Sequence, residues 1–260
     1  MCLSMAFKKK SLGQHFLVDS TISMKIADAV IVNAANDVLV EVGPGQGAIT
    51  KHLIEKNIQD FKVVEKDDRF AVALPKKFNV LEGKLIHKDI LQLDWSKDFG
   101  SKYHIVGNFP YNISNMLLFN VYDNRNHVMQ MVGMFQREVA KRVCSGTNSK
   151  TYGKLSVLLQ AFYTTEYLFD VPPEAFDPPP NVNSAVIRLL RKSKDPEINN
   201  ITQFKAVVKS AFGMRRKKLS NSLKPFTFES NDTIKDLLNR RPEHLDYNDF
   251  IYLTNHIATV

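Results

Sequence analysis

Val38-Leu-Val-Glu-Val-Gly-Pro-Gly-Gln-Gly47 is the stretch that decides the fold. A short β-branched run, Val38 to Val42, ends in a glycine-rich turn, and a helical stretch over residues 48–56 follows. Glycines at such a turn carry no Cβ, so the backbone bends sharply and approaches a ligand closely. Working outward, Phe61-Lys-Val-Val-Glu65 is a second strand with a helical segment through Leu74 behind it. Residues 85–89 make a third strand and 103–107 a fourth; 129–135 is a fifth, followed by an amphipathic helix over 136–143. Repeated strand–helix alternation predicts a mostly parallel sheet covered on both faces. Residues 164–171 and 182–190 are two further strands, joined by Pro172-Pro-Glu-Ala-Phe-Asp-Pro-Pro-Pro180, and predict an antiparallel pair at the sheet edge. Beyond the polar stretch Arg191-Lys-Ser-Lys-Asp-Pro196 the period becomes helical, with Phe204, Val207, Val208, Ala211 and Phe212, then Ile234, Leu237 and Leu238. The expected organisation is therefore an α/β, Rossmann-like domain over residues 1–195 and a small α-helical domain over 196–260.

The composition narrows the class. The chain has 260 residues, 44% hydrophobic and 24% charged, ordinary values for a globular protein that folds without staples. No stretch approaches the ~20 apolar residues of a membrane helix. Two cysteines, Cys2 and Cys144, make neither a disulfide framework nor a cysteine-rich zinc site, and the seven histidines form no spaced ligand set. No metal, no membrane and no Ser–His–Asp nucleophile are expected. The start, Met1-Cys-Leu-Ser-Met-Ala-Phe-Lys-Lys-Lys10, reverses the order of a secretory signal, so the expected compartment is the cytoplasm. Lys and Arg number 35 against 27 Asp and Glu, a formal charge of +8, which favours a polyanionic partner such as nucleic acid.

The glycine loop predicts a nucleoside cofactor. Glu65 ends the second strand, about twenty residues on, where a carboxylate can accept from both ribose hydroxyls. Gly43, Gly45 and Ala48 also satisfy the dinucleotide fingerprint, so the loop alone does not separate NAD from S-adenosylmethionine. Asp89 ends the third strand, placed to accept from an adenine amine or to cap a helix.

The fourth strand runs into Gly107-Asn-Phe-Pro-Tyr-Asn-Ile-Ser114. In an open parallel sheet the crevice lies outside the carboxyl ends of the strands, so this loop faces the glycine loop. An adenine amine is a poor nucleophile because its lone pair is delocalised into the ring. Two acceptors, the Asn108 side-chain oxygen and the Pro110 carbonyl, would draw that nitrogen towards tetrahedral geometry. Tyr111 offers a flat face for an unstacked base. Catalysis of this kind is positioning plus hydrogen-bond polarisation.

With these pieces on the page, the chain resembles the KsgA/RsmA-type ribosomal RNA small-subunit adenine dimethyltransferases nearly end to end. The resemblance rests on Ser11-Leu-Gly-Gln-His-Phe-Leu17, Glu41-Val-Gly-Pro-Gly45, Val64-Glu65, Lys88-Asp-Ile-Leu91, Gly107 to Ser114, Val171 to Pro180 and Phe212-Gly-Met-Arg-Arg-Lys-Lys-Leu219. It implies a class I S-adenosylmethionine-dependent methyltransferase fold with a helical C-terminal domain. It also implies dimethylation of two adjacent adenosines near the 3′ end of 16S rRNA in the small ribosomal subunit. His15, Leu17, Gly43, Glu65, Asp89 and Asn108 would then meet the cofactor. Asn108, Pro110 and Tyr111 would hold the target base, and Phe176 is either the second aromatic wall of that pocket or a core anchor. Two departures stand out: His15 occupies a position where asparagine is commoner in bacteria, and Phe109 one where leucine is usual.

Three cationic runs stand out: Lys8 to Lys10; Arg188 with Arg191, Lys192 and Lys194; and Arg215-Arg-Lys-Lys218. Such charges supply affinity and salt dependence on RNA phosphates. The last run is expected to dock the enzyme on the ribosomal particle, and nothing demands more than a monomer. The competing readings are a large-subunit adenine methyltransferase of the macrolide-resistance type, a non-catalytic assembly or transcription factor, and an NAD dehydrogenase.

Overall fold

Each strand of the expected α/β pattern forms in the computed structural model, which describes residues 15–32 and 37–258. The Lys8–Lys10 run, Cys2 and the first four residues of the Ser11–Leu17 motif lie outside the described residues. Along the chain come β1 (Phe16–Leu17), α1 (Ser20–Asp28), β2 (Val38–Val42), α2 (Thr50–Glu55), β3 (Phe61–Glu65), α3 (Asp68–Lys77), β4 (Leu85–His87), α4 (Trp95–Phe99), β5 (Tyr103–Asn108) and α5 (Ser114–Asp123). Then follow β6 (Val128–Gln136), α6 (Arg137–Cys144), α7 (Lys154–Phe162), β7 (Tyr163–Val171), β8 (Phe176–Asp177), β9 (Ser184–Arg191), α8 (Ile201–Gly213), α9 (Leu219–Ser222), α10 (Asp232–Asn239) and α11 (Tyr247–Asn255).

Seven strands form one sheet in the order β4-β3-β2-β5-β6-β9-β7. The pairs from β4 through β6 are parallel, and β9 runs antiparallel to β6 with Gln130 opposite Leu190 and Gln136 opposite Ser184. The antiparallel strand thus inserts between β6 and the edge strand β7. All five residues of β2 are buried, as expected of a strand covered on both faces. Strand order reverses between β2 and β5, so the loops leaving these two strands diverge and open a crevice there.

α2 starts at Thr50, two residues later than expected, because Gly43, Gly45 and Gly47 all take positive φ (+67°, +53° and +82°). A Cβ on Gly47 would also sit 2.5 Å from the Phe78 ring. At the other side of the crevice, Gly107 and Gly133 make room for one side chain. A Cβ on either would lie 2.9 or 2.5 Å from the Phe109 ring, which is fully buried and packs 5.1 Å from Phe135. The loop after β5 is thereby anchored in the core by its first residue.

Two helices had no strong sequence signature. α5 buries Leu117, Leu118, Val121 and Tyr122, and α7 buries seven of its nine residues. An apolar run without an exposed face shows no clean helical period.

Contacts divide the chain at points other than the expected boundary after residue 195. One compact unit takes the residues up to Ala140 together with Glu166–Arg191, and the second takes Lys141–Thr165 with Lys192 onward. The reason is α7: its apolar surface packs against α8 and α11 rather than the sheet. In this second unit Phe204, Val207, Val208, Leu219, Phe250 and Leu253 are buried. Asn200, Asn231 and Asp246 cap α8, α10 and α11 by accepting backbone N–H groups.

Candidate active site

The crevice at the ends of β2, β3 and β5 contains two adjoining cavities that share Gly43, Glu65 and Pro110. The first, about 750 Å³, is lined by His15, Leu17, Glu41, Gly43, Asn108 and Tyr111 among others. The second, about 630 Å³, is lined by Lys66, Asp67, Asp89 and Asn112 among others.

Glu65 ties the glycine loop to the end of β3. Its Oε2 accepts from the Gly45 N–H at 3.1 Å and its Oε1 from the Asp67 N–H at 2.8 Å. Burial raises its pKa, and these backbone bonds offset part of that rise. Asp89 caps a turn, one of the two roles the sequence left open. One oxygen caps a 3-10 turn by accepting from the Leu91 N–H at 3.0 Å, and the other meets the Lys66 ammonium at 2.8 Å on the wall of the second cavity. Burial works against its charge, yet Lys66 and Leu91 outweigh it and hold the pKa below the usual value.

Glu41 was quoted in the motif but not singled out. It is 1% exposed, its Oε2 has no hydrogen-bond partner, and it lines the first cavity. Its pKa is pushed up to about 8 by burial, with Thr50 opposing the rise and Glu65 adding to it. The sequence signal was there: one carboxylate in an otherwise apolar strand, immediately before the glycine turn.

Asn108 is oriented by its partner. Its Nδ2 donates to the His15 carbonyl at 3.0 Å, and a carbonyl only accepts, so the amide's nitrogen faces His15 and its oxygen is left as an acceptor. The Pro110 carbonyl, by contrast, already accepts from the Ile113 N–H at 3.2 Å and from the Ser114 hydroxyl at 3.3 Å. The Tyr111 hydroxyl lies 2.6 Å from the Ser184 Oγ, which fixes the ring, and burial raises the phenol's pKa with the Ser184 bond opposing. The His15 ring is stacked on Tyr111, centroids 5.7 Å apart.

Phe176 stands elsewhere. It is 3% exposed, pairs with Leu17 between β8 and β1, belongs to the apolar core and lines neither cavity. The β1–β8 pairing turns it towards the core.

The cationic run of the second unit splits by role. The Arg215 guanidinium donates to the carbonyls of Lys150 and Ser149 at 2.7 and 3.0 Å and lies 4.0 Å from Glu243. Arg216, Lys217 and Lys218 instead line a surface cavity with Arg240, Arg241 and His244. Sequence reading missed the latter three because they lie beyond α10, distant along the chain. Arg188 is paired with Glu166, and Arg191 donates to the Arg125 carbonyl at 2.8 Å.

Comparison with known proteins decides the family. The model of the family described as Ribosomal RNA adenine dimethylase matches residues 5–257. The chain belongs to this family. It is 42% identical over 250 residues to a protein of Cytophaga hutchinsonii named Ribosomal RNA small subunit methyltransferase A, covering 96% of this chain and 97% of that one. A protein of the same name from Parabacteroides distasonis is 44% identical, covering 95% and 92%. The fold matches the crystal structure of a dimethyladenosine transferase from Plasmodium falciparum, with TM-score 0.78 and 23% identity over 92% of this chain and 96% of that one. It also matches the 23S rRNA methyltransferase ErmE, with TM-score 0.72 and 20% identity over 93% and 100%. Among the described residues, no group of three or more His, Cys, Asp or Glu is arranged to hold a metal ion, and no helix is long and apolar enough to cross a membrane.

Proposed function

We propose that this chain methylates the N6 amines of two adjacent adenosines near the 3′ end of 16S rRNA, making dimethyladenosine at each during small-subunit biogenesis in the cytoplasm. Family membership supports the reaction class. The observation that carries the mechanism is the Asn108 amide, whose oxygen is left free by the bond from its nitrogen to His15.

The residues present suit S-adenosylmethionine. Gly43 has no atom within 4 Å of where a Cβ would stand, Glu65 and Asp89 line the crevice, and the partnerless oxygen of Glu41 suits an ammonium group. When bound, that cofactor supplies an electrophilic methyl group. Leu17, Gly43, Glu41 and Glu65 would hold it, with Asp89 at the adenine end. Asn108 accepts one hydrogen of the target amine and directs its lone pair. The Pro110 carbonyl accepts the other as the long bond from Ser114 gives way. Tyr111 supports the base, a contact worth ~1–3 kcal/mol. No strong base is needed, because the methylated amine is acidic and releases its proton to water.

Arg216, Lys217 and Lys218, with Arg240 and Arg241, are the proposed contacts to rRNA phosphates. Arg215 braces them from within its unit. Labelled methyl transfer to undermethylated small subunits, with isolated large subunits as control and mapping of the modified bases, tests the whole reading. Asn108→Ala should abolish transfer while particle binding persists. Transfer to large subunits alone would overturn the proposal.

A further inference from the structure

We propose that Arg137 holds the phosphate of the extruded adenosine nucleotide at the mouth of the base pocket. The inference rests on the adenosine-methylating reading above and gives that reaction a further substrate-contacting residue. Arg137 is the first residue of α6, directly past the carboxyl end of β6. Sheet register fixes its surroundings. On one side of β6, Met134 stands opposite Asn108; on the other, Gln136 stands opposite Ser184. The Arg137 N–H then donates to the Asn183 carbonyl at 2.9 Å, one residue before the serine whose Oγ lies 2.6 Å from the Tyr111 hydroxyl. The backbone of Arg137 is thus fixed to the segment that tethers the Tyr111 ring.

Charge singles the residue out. Residues 43–49 after β2, 109–113 after β5 and 178–183 before β9 contain no lysine or arginine. The first cavity has none in its lining either, and the second has Lys66 and Lys88 beside Asp89, with Lys66 already engaged by that carboxylate. A base drawn out of its stack brings its ribose and phosphate to the rim, where the negative charge has to be met. The Arg137 side chain is exposed, and its guanidinium makes no ion pair among the described residues. Arg188, by contrast, is held by Glu166. A guanidinium's planar fork matches two phosphate oxygens at once, so it orients the phosphate as well as attracting it. The cationic run of the second unit serves affinity for the particle, whereas Arg137 acts on the one nucleotide being methylated.

The test compares Arg137→Ala and Arg137→Lys with the unaltered full-length chain. Methyl transfer to undermethylated small subunits is followed across a range of salt concentrations, and S-adenosylhomocysteine binding by calorimetry. Arg137→Ala should lose about 10- to 100-fold in kcat/KM at low salt, the scale of a lost charge-assisted hydrogen bond. Its slope of log kcat/KM against log salt should become shallower by about 0.7–0.9, the signature of one phosphate contact. Arg137→Lys keeps the charge and should restore that slope, with the rate recovered in part because an ammonium has no planar fork. Affinity for S-adenosylhomocysteine should stay within about twofold in both variants, since Arg137 lines neither cavity, and this also certifies that the crevice is folded. An unchanged kcat/KM or an unchanged salt slope in Arg137→Ala, a slope that Arg137→Lys does not restore, or an equal fall in S-adenosylhomocysteine affinity would each overturn the proposal. Failure of the unaltered chain to methylate small subunits would instead overturn the functional reading beneath it.

Discussion

Replacing Glu41 with glutamine gives the sharpest electrostatic prediction. Burial pushes this carboxyl up to about 8, from an ordinary 4.5. In the unfolded chain it ionises near 4.5; in the native protein it keeps its proton to about 8. Between these values the native state binds more protons, so raising the pH favours unfolding. The sign is that of a raised pKa: the stability is fully present below 4.5 and lost as pH climbs to about 8. At about 1.4 kcal/mol per unit, the loss between pH 5 and pH 8 amounts to roughly 3–4 kcal/mol. Glutamine has nearly the same shape and does not titrate. Urea unfolding of the ligand-free protein and of Glu41→Gln across pH 5–9 isolates the effect as a difference, since the remaining groups are common to both. That difference should fall by roughly 3–4 kcal/mol and then level off. A flat difference curve would mean that the buried carboxylate is ionised throughout, and would refute the reasoning.

Other predictions follow from packing and charge. Gly133→Ala drives a methyl into the Phe109 and Phe135 rings and should cost about 1–3 kcal/mol in urea unfolding. Combining it with Phe109→Leu should be non-additive by at least about 0.5 kcal/mol, because the smaller side chain yields part of the space. Arg215→Ala should destabilise the protein by about 1–2 kcal/mol through its lost carbonyl bonds, whereas Lys217→Ala and Lys218→Ala should stay within about 0.5 kcal/mol. On rRNA the order reverses: each lysine replacement should lower the slope of log K against log salt by about 0.7–0.9, measured by filter binding. Asn108→Asp cannot donate to the His15 carbonyl, so its methyl-transfer rate should fall at least about 100-fold, as read by labelled methyl incorporation.

What was legible in the sequence was whatever depends on local pattern. Val38 to Val42 reads as a buried strand because every residue but Glu41 is apolar, and the glycines after it have no other backbone use. Asn108 and Tyr111 could be placed because a strand end fixes which way its loop faces. α7 was not legible, since a helix that buries seven of nine residues has no polar face to set a period, and the unit boundary was missed with it. The inward placement of Phe176 depended on a pairing over 150 residues apart in sequence, Phe16 with Asp177, which no local pattern encodes. Arg215 looked like its neighbours because charge is visible in sequence and its carbonyl partners are not.

The crevice combines a rigid frame with one loosened contact. Phe109 locks the loop after β5 into the core through Gly107 and Gly133, and His15 locks the Asn108 amide. A reaction accelerated by orientation requires such fixity, because small misplacements of the acceptor cost large factors in rate. Against that frame, the Pro110 carbonyl is already shared between Ile113 and Ser114. The bond from Ile113 is part of the loop's backbone, while the bond from Ser114 is made by a side-chain hydroxyl. The incoming amine therefore competes with a single side-chain hydroxyl. Ser114→Ala removes that competitor and should leave the methyl-transfer rate intact or raise it, whereas a loss of rate would mean that the hydroxyl holds the carbonyl in place for the substrate.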